Sequence, residues 1–238
     1  MNGISLLPLL GIGEVIPGNN LADLICDALG LDDSPGLVDH DVVIVTQKIV
    51  SKAEGRLVAI DPDDQDAKVA LVESEAVRVL RRRGELRITE TTHGFICANS
   101  GVDLSNVDAG TAALLPIDPD RSARRIRADL KRRLGVEVAV LISDTFGRPW
   151  RRGVTDIALG CAGIAAVIDL RGTPDATGRI LAATEVCVAD ELCGAAELVM
   201  GKDRGVPVAI VRGAPREWFR DGSVSGEIVR TSGEDLFR

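Results

Sequence analysis

Short apolar runs along the chain predict strands that are buried on both faces, because polar residues do not alternate with the apolar ones. The runs cover residues 6–10, 41–45, 136–142, 164–170 and a last segment that ends at Val211. The run at 136–142 is the most apolar strand candidate in the chain. We expect these segments to supply the buried strands of the fold.

Apolar residues spaced three and four positions apart predict helices between these strands. Asn19 or Asn20 would cap the first helix, and Gly30 and Gly135 would end the first and third helices. The predicted helices cover residues 21–29, 66–83, 118–134 and about 184–200, and short strands or a hairpin are predicted at 86–92 and 94–99.

The size of the chain allows an ordinary globular core. With 238 residues, 45% of them apolar, it can bury one large core or two modest ones. No repeat or long linker divides it, so we expect a single catalytic unit over residues 1–238, with room for two lobes. No apolar run approaches the roughly 20 residues of a membrane span, and the first five residues lack the basic start of a signal peptide. A cytoplasmic location without membrane contact is therefore expected.

Net charge and side-chain chemistry limit the classes of ligand that the chain is expected to bind. The net charge of −8 and the 3% of aromatic residues argue against a nucleic-acid surface. The five cysteines form no Cys-x-x-Cys pair, and the chain has only two histidines, which does not favour zinc. Any bound metal should be held by carboxylates, hydroxyls, amides and waters, which are ligands typical of magnesium or manganese.

The segment 143–153, which follows the most apolar strand candidate, is predicted to be an active-site loop. Asp144 and Thr145 would emerge at the carboxyl end of a buried strand, where open α/β sheets place ligands. Arg148 and Arg151 would supply positive charge for phosphate or carboxylate groups. The same pattern is also typical of an Asp-capped turn followed by solvated arginines, and the residues alone leave both interpretations open.

Two further polar segments are candidates for ligand binding. Ser51 and Lys52 follow the buried strand 41–45 and could meet phosphate oxygens, although a solvated amphipathic segment would have the same composition. Asp103 and Asn106 provide oxygen ligands and an amide donor at a spacing that can converge on one ion or phosphate. Local capping of turns explains the second pair equally well.

Five segments in a fixed order resemble one family, the coenzyme F-420-0:L-glutamate ligases. They include Val15-x-Pro-Gly, VSKAEGR at 50–56, ANSGVDLSNV at 98–107, SDTFGRPWR at 143–151, and Gly-Lys with Pro-Val at 201–208. The resemblance runs from about residue 6 to the C-terminal residues 234–238. It departs at Ile12-Gly13, where relatives often have Leu-Pro. Two-domain relatives continue into a flavin-binding domain, and we expect none here.

The resemblance implies a mixed α/β (α+β) fold, with mixed sheets, flanking helices and two lobes. It also implies roles for individual residues. Asp103, Asp144 and Thr145 match metal-binding positions, and Asn106 and Lys52 match GTP-contacting positions. Asp144 and Lys52 are the residues expected to act in catalysis. The further positions expected at the nucleotide are Ile12, Gly13, Glu14, Val15, Ser51, Gly201, Gly205, Val206 and Pro207. Lys202 lies near a metal position but is left out, because a charged lysine cannot bind a cation.

The reaction implied by the resemblance is GTP-dependent addition of L-glutamate to the deazaflavin precursor F-420-0, followed by a γ-linked glutamate, through an acyl phosphate. Two Mg²⁺ or Mn²⁺ ions, a monovalent cation such as K⁺ and a homodimer are implied with it. Two other classes remain open at this point. One is a phosphotransferase that uses the same nucleotide site, and the other is a nucleotide-sensing or scaffold protein.

Overall fold

The computed structural model describes residues 3–236 and has the mixed α/β fold that the sequence predicted. The helices are α1 (Leu21–Leu29), α2 (Gln47–Ala53), α3 (Gln65–Ser74), α4 (Pro119–Leu134), α5 (Val188–Met200) and the short α6 (Val224–Glu227). The strands are β1 (Ser5–Pro8), β2 (Val42–Thr46), β3 (Leu57–Ala59), β4 (Ala76–Arg83), β5 (Leu86–Thr91), β6 (Ile96–Ala98), β7 (Thr111–Ala113), β8 (Ala139–Arg148), β9 (Arg151–Ala162), β10 (Ile168–Asp169), β11 (Glu185–Val186) and β12 (Val208–Arg212).

A five-stranded mixed sheet in the order β1-β12-β2-β8-β9 forms the centre of the protein. β2 and β8 run parallel, and the other neighbouring pairs in this sheet are antiparallel. β4, β5 and β6 form a separate antiparallel sheet, while β3 pairs with β7 and β10 pairs with β11. The parallel pair lies in the middle of the sheet, where both of its faces can be covered.

Helices cover both faces of the central sheet and explain why its inner strands are apolar throughout. Val42 and Ile44 pack on the side of α5, whereas Val43 and Val45 pack on the side of α1 and α4. All four of these side chains are completely buried. This confirms the prediction of a strand buried on both faces at residues 41–45.

Several predicted elements begin or end elsewhere in the structure. The strand predicted at 136–142 begins at Ala139, because its partner β2 begins opposite it at Val42. Only Ile168–Asp169 of the run 164–170 is in a strand. The backbone N–H groups of Ala166 and Val167 instead donate to Glu227 of the C-terminal segment.

The helix predicted over residues 66–83 is wrong in its second half. α3 ends at Ser74, and β4 then pairs with β5 through a turn at Gly84, whose φ is 56°. The arginines at 81–83 therefore lie in a strand rather than at a helix end. The hairpin predicted at 86–99 is confirmed as β5 and β6, and its pairing with β4 outweighed the helical spacing upstream.

The loop predicted at 143–153 is also wrong, because β8 continues to Arg148 and returns as β9 from Arg151. Beyond Ser143 this hairpin no longer pairs with β2, so it extends past the sheet as two strands. The segment that was expected to be a flexible loop is thus a regular ladder, which holds Asp144 and Thr145 in register with β9.

The apolar residues Trp218, Phe219, Leu236 and Phe237 in the otherwise polar segment 216–238 predict that this segment docks on the body of the protein or on a neighbour. In the structure it docks on the body. Trp218 and Phe219 pack against the α5-side core. Leu236 is 87% exposed, and Phe237, which was expected to be a further anchor, lies outside the described residues. Within residues 3–236 no helix is long and apolar enough to cross a membrane.

Asp120 connects three parts of the chain. It lies in the first turn of α4, is 4% exposed, and accepts hydrogen bonds from the backbone N–H groups of Cys161, Val224 and Ser225 at 2.9–3.1 Å. Close packing of α4 on β9 is possible only because residue 160 is glycine, since a Cβ there would lie 2.3 Å from the carbonyl oxygen of Pro119. The carboxylate therefore joins the start of α4 to β9 and to the C-terminal segment.

We expect Asp120→Ala to lower the free energy of unfolding by about 2–4 kcal/mol, because it leaves buried N–H groups without acceptors. Asp118→Ala removes an exposed N-cap whose carboxylate accepts from the backbone N–H of Arg121 and lies 3.8 Å from Arg124 Nη2 in the same helix, and should cost about 1 kcal/mol. Guanidinium denaturation of both variants measures the difference. Equal losses in the two variants would show that Asp120 is no more than a local cap.

Candidate active site

A large cleft opens at the carboxyl ends of the parallel strands β2 and β8. The last pair in their register is Thr46 with Ser143, so the residues that follow on both strands emerge side by side. Ligands of open α/β sheets bind at this edge. The cleft has a volume of about 580 Å³, and segments distant in the sequence line it: the loop after β1, the face of α2, residues 103–108, the start of the β8–β9 hairpin, and the end of α5.

Most residues predicted from the sequence come together in this cleft. Those that line it are Ile12, Gly13, Glu14, Val15, Lys52, Asp103, Asn106, Asp144, Thr145, Gly201, Gly205, Val206 and Pro207. Ser51, Arg148 and Arg151 do not line it. The proposed metal positions and the proposed nucleotide positions thus share one cavity, although they are spread over residues 12–207 of the sequence.

The helical geometry of α2 turns Ser51 away from the cleft. Its side chain is completely buried, and its hydroxyl donates to Gln47 Oε1 at 2.9 Å. Lys48 and Lys52 are one helical turn apart, so they lie on the same face, and both line the cleft. Ser51 therefore contributes to packing of α2, whereas the two lysines contribute positive charge to the site.

Arg148 and Arg151 lie at the outer end of the β8–β9 hairpin. They are paired across its last register position, and both are exposed. Because the hairpin extends beyond the central sheet, it carries these guanidinium groups away from the cleft rather than into it. Within one copy of the chain they are not part of the cavity that holds Asp144 and Thr145.

Lys48 is a site residue that the sequence analysis did not single out. Its ammonium group donates to Asp103 Oδ2 at 2.5 Å, to the carbonyl of Ser105 at 2.6 Å and to the hydroxyl of Ser105 at 2.9 Å. These bonds and the lysine charge outweigh burial, so the pKa of Asp103 is lowered. Lys48 therefore fixes the loop that carries Asp103 and Asn106. The spacing of four residues from Lys52 could have pointed to it.

Lys52 connects α2 to the glycine-containing loop. Its ammonium group lies 2.5 Å from Glu14 Oε1, and its side chain is 12% exposed while that of Glu14 is 73% exposed. The backbone N–H of Gly18 also donates to the carbonyl of Ala53 at 2.9 Å. The loop after β1 is therefore held against the end of α2, with a lysine between loop and cleft.

Asp144 lies in the most electronegative part of the cleft. Burial, with a smaller contribution from the nearby carboxylates of Asp156 and Asp103, raises the pKa of its carboxyl group to about 7, against the backbone N–H of Thr145 and the charge of Lys202. The structure thus places three carboxylates close enough to repel one another. A cation at this position would relieve that repulsion.

Asp156 is the second site residue that the sequence analysis missed. It lies opposite Thr145 in the β8–β9 ladder and is 3% exposed. Its carboxylate accepts from the Ser143 hydroxyl at 3.0 Å and from the Thr145 hydroxyl at 2.5 Å. A hairpin predicted over this segment would have paired Thr145 with Asp156, whereas a loop gives Thr145 no partner in a neighbouring strand.

The donor atoms of this part of the cleft fit a hard divalent cation. Asp144, Asp103 and Thr145 offer only oxygen atoms, which Mg²⁺ and Mn²⁺ prefer. Among residues 3–236, no three carboxylate, imidazole or thiol side chains lie close enough to hold an ion by themselves. Magnesium in nucleotide sites needs only one or two protein carboxylates, because substrate phosphates and waters complete its coordination. The set is therefore suited to an ion that arrives with a nucleotide.

The end of α5 closes the cleft with groups of both charges. Burial raises the pKa of Glu197, and the neighbouring carboxylate of Asp156 adds to the shift, while Lys202 and Arg204 oppose it. The positive charge of Lys202, which also lines the cleft, lowers the pKa of Asp144 and so opposes the effect of burial. A smaller cavity of about 280 Å³ adjoins the main cleft and shares Glu14, Val15 and Lys52 with it.

Comparison with known proteins shows which family the chain belongs to. Residues 10–213 match the model of the family described as F420-0:Gamma-glutamyl ligase. A coenzyme F420:L-glutamate ligase of Methanothermobacter thermautotrophicus is 42% identical, with 99% of each chain aligned. Proteins of the same name from Methanopyrus kandleri and Methanocaldococcus jannaschii are 39% and 38% identical, and 94% or more of each chain is aligned. The chain therefore belongs to the F420-0:gamma-glutamyl ligase family and is a ligase.

Proposed function

We propose that the chain uses GTP to join L-glutamate to the side-chain carboxylate of the deazaflavin precursor F-420-0, and then joins a second glutamate through the γ-carboxylate of the first. The relatives named coenzyme F420:L-glutamate ligase support glutamate and the deazaflavin as substrates. The observation that carries the proposal is one cleft in which Asp144, Asp103 and Thr145 face Lys48 and Lys52. Such a mixture suits a metal-bound triphosphate.

The reaction needs activation because a carboxylate does not condense with an amine in neutral water. A carboxylate oxygen of the precursor attacks the γ-phosphorus of GTP, the bond from that phosphorus to the β-phosphate bridging oxygen breaks, and GDP leaves. The amino nitrogen of glutamate then attacks the acyl carbon, the bond to the phosphate oxygen breaks, and inorganic phosphate leaves. The amine loses a proton, and the product is an amide.

Asp144 and Thr145, with Asp103, are the proposed ligands of Mg²⁺ or Mn²⁺, in a site for two ions. When bound, such ions would supply positive charge that neutralises the negative charge developing on the phosphates during transfer. In the structure Asp103 is already paired with Lys48, whereas Asp144 has no cation in direct contact among the described interactions of residues 3–236. Asp144 is therefore the central ligand of this proposal, and K⁺ is proposed as an additional ion.

Lys48 and Lys52 offset the repulsion between the negatively charged reactants in the cleft. GTP, the precursor and glutamate are all anions, and the protein itself carries a net charge of −8. Like charges in a cleft of effective dielectric constant near 20 repel by several kcal/mol at contact distances. Lys52 and Lys48 are held by Glu14 and Asp103 at 2.5 Å, so their positions are set before the ligand arrives. Preorganised positive charge of this kind lowers the barrier to phosphoryl transfer.

The deazaflavin precursor and L-glutamate have no assigned position in the cleft of a single chain. Arg148 and Arg151 remain candidates for substrate carboxylates or phosphates, and their exposed place at the hairpin tip suits contacts made across a subunit boundary. A homodimer is proposed with them. In that arrangement the hairpin of one copy would serve a substrate bound near its partner.

Incubation of the protein with F-420-0, GTP, Mn²⁺ and L-glutamate should add one or two glutamyl residues to the deazaflavin, detected by mass spectrometry, with one GDP released for each amide. Replacement of L-glutamate by D-glutamate provides the control for the amine substrate. Release of GDP without any glutamylated product would favour a phosphotransferase, and binding of GTP without turnover would favour a sensor.

Asp144→Asn should abolish glutamylation while leaving the protein folded, because the amide cannot provide the negative charge that a divalent cation requires. Without metal, the variant should melt at a higher temperature than the wild type at pH 8. The folded-state pKa of about 7 lies above the ordinary value of 3.8, so ionisation of Asp144 destabilises the fold progressively from about pH 4 to 7. The gain in melting temperature should grow over that range and level off above it. Turnover near that of the wild type would remove Asp144 from the mechanism.

Lys52→Ala should weaken GTP binding about tenfold, in line with the loss of one charge-assisted hydrogen bond of about 1.5 kcal/mol. Isothermal titration calorimetry with GTP or GDP measures the effect. Lys68→Ala is the matched control, because Lys68 on α3 does not line the cleft and its ammonium group donates only to Gln65 among the described side-chain hydrogen bonds. An unchanged nucleotide dissociation constant in the Lys52 variant would refute its role.

A further inference from the structure

Asp156 lines the cleft, but its carboxylate is turned toward two hydroxyl groups of the neighbouring strand. It is 3% exposed, Ser143 Oγ lies 3.0 Å from Oδ2, and Thr145 Oγ1 lies 2.5 Å from Oδ1. Each carboxylate oxygen thus accepts from one hydroxyl. Thr145 is also its register partner in the ladder between β8 and β9, so the contact is held by the backbone of two strands.

The direction of the two hydrogen bonds follows from the chemistry of the groups. An ionised carboxylate can only accept, and a hydroxyl has a single hydrogen to donate. The hydroxyl hydrogen of Thr145 must therefore point at Asp156, and its two lone pairs point elsewhere. A hydroxyl with its lone pairs free is prepared to bind a cation, and donation to a carboxylate makes its oxygen more negative.

We propose that Asp156 is a positioning residue that orients the Thr145 hydroxyl so that its lone pairs face the divalent cation of the cleft. Asp156 acts on the ion through Thr145 and does not bind it. Its second oxygen, occupied by Ser143, prevents the carboxylate from rotating toward the cleft. The proposal rests on the metal site in the proposed function.

Asp190 is a second carboxylate that contacts β9, and it serves as a comparison for a purely structural role. Asp190 on α5 accepts from the backbone N–H of Ala158 in β9 at 2.9 Å, and it does not line the cleft. It is held by the strand that carries Asp156 but contacts neither Thr145 nor Ser143 through any described hydrogen bond. Asp190→Asn is therefore a matched control for loss of a buried carboxylate at β9.

A double-mutant cycle with Mn²⁺ as the probe separates the roles. The affinity for Mn²⁺ is measured by electron paramagnetic resonance of the free ion in the presence of GDP, which permits binding without turnover. Asp156→Asn and Thr145→Val should each weaken Mn²⁺ binding about 10- to 100-fold, which is the usual effect of losing an outer partner or the ligand it orients. In the Thr145→Val background, Asp156→Asn should cause less than about a twofold further loss.

Other outcomes would overturn the proposal. If the two losses multiply in the double variant, Asp156 binds the ion directly. If Asp190→Asn weakens Mn²⁺ binding as much as Asp156→Asn, the effect belongs to the strand and not to the hydroxyl. Thr145→Ser, which keeps a hydroxyl opposite Asp156, should bind Mn²⁺ within about threefold of the wild type.

The serine and valine variants at position 145 keep the test decisive even if Asp156→Asn does not fold. If Thr145→Val binds Mn²⁺ as well as Thr145→Ser does, no hydroxyl orientation matters and the proposal fails. Product formation by the wild type is a separate measurement. If the wild type makes no glutamylated product but the variants show the predicted Mn²⁺ affinities, the proposed reaction is overturned and the role of Asp156 is retained. If the wild type is active but the losses of Mn²⁺ affinity multiply, the proposed reaction is retained and the role of Asp156 is overturned.

Discussion

The parallel pairing of β2 with β8 is the constraint on which the site depends. Because helices cover both faces of these strands, their apolar side chains are buried throughout in the observed register. That register ends with Thr46 beside Ser143. The two chains therefore leave the sheet together, one as a helix that carries lysines and the other as a hairpin that carries carboxylates. Burial in the core thus determines which charges meet in the cleft.

The cleft is organised by opposite charges held in fixed pairs. Lys48 binds Asp103, Lys52 binds Glu14, and Asp156 is occupied by two hydroxyls. Asp144 has no such partner among the described interactions, and its pKa is raised mainly by burial and to a smaller degree by the carboxylates of Asp156 and Asp103. Although the protein has a net charge of −8, Glu14 and Asp103 in the cleft are already paired with lysines, and the cation proposed at Asp144 would offset further negative charge toward anionic substrates.

The predictions that were wrong share one physical cause, which is that strand pairing overrides local spacing. Residues 76–83 have apolar positions compatible with a helix, but they form β4 because β5 offers a hydrogen-bonding edge. Residues 143–148 contain glycine and polar residues typical of a loop, but β9 continues the ladder beyond the central sheet. In both cases the partner strand follows closely in the chain, but periodicity measures the apolar spacing within one segment and not the pairing of that segment with another.

The sequence by itself determined the buried strand at 41–45, the capped helices and the kinds of chemical group in the site, because these follow from local apolar patterns and side-chain chemistry. Resemblance to a family supplied most of the residues that line the cleft. Only the tertiary structure decided that Ser51 faces the core, that Lys48 holds Asp103 and that Asp156 faces Thr145. These contacts depend on the phase of a helix and the register of a hairpin, and long-range packing sets both.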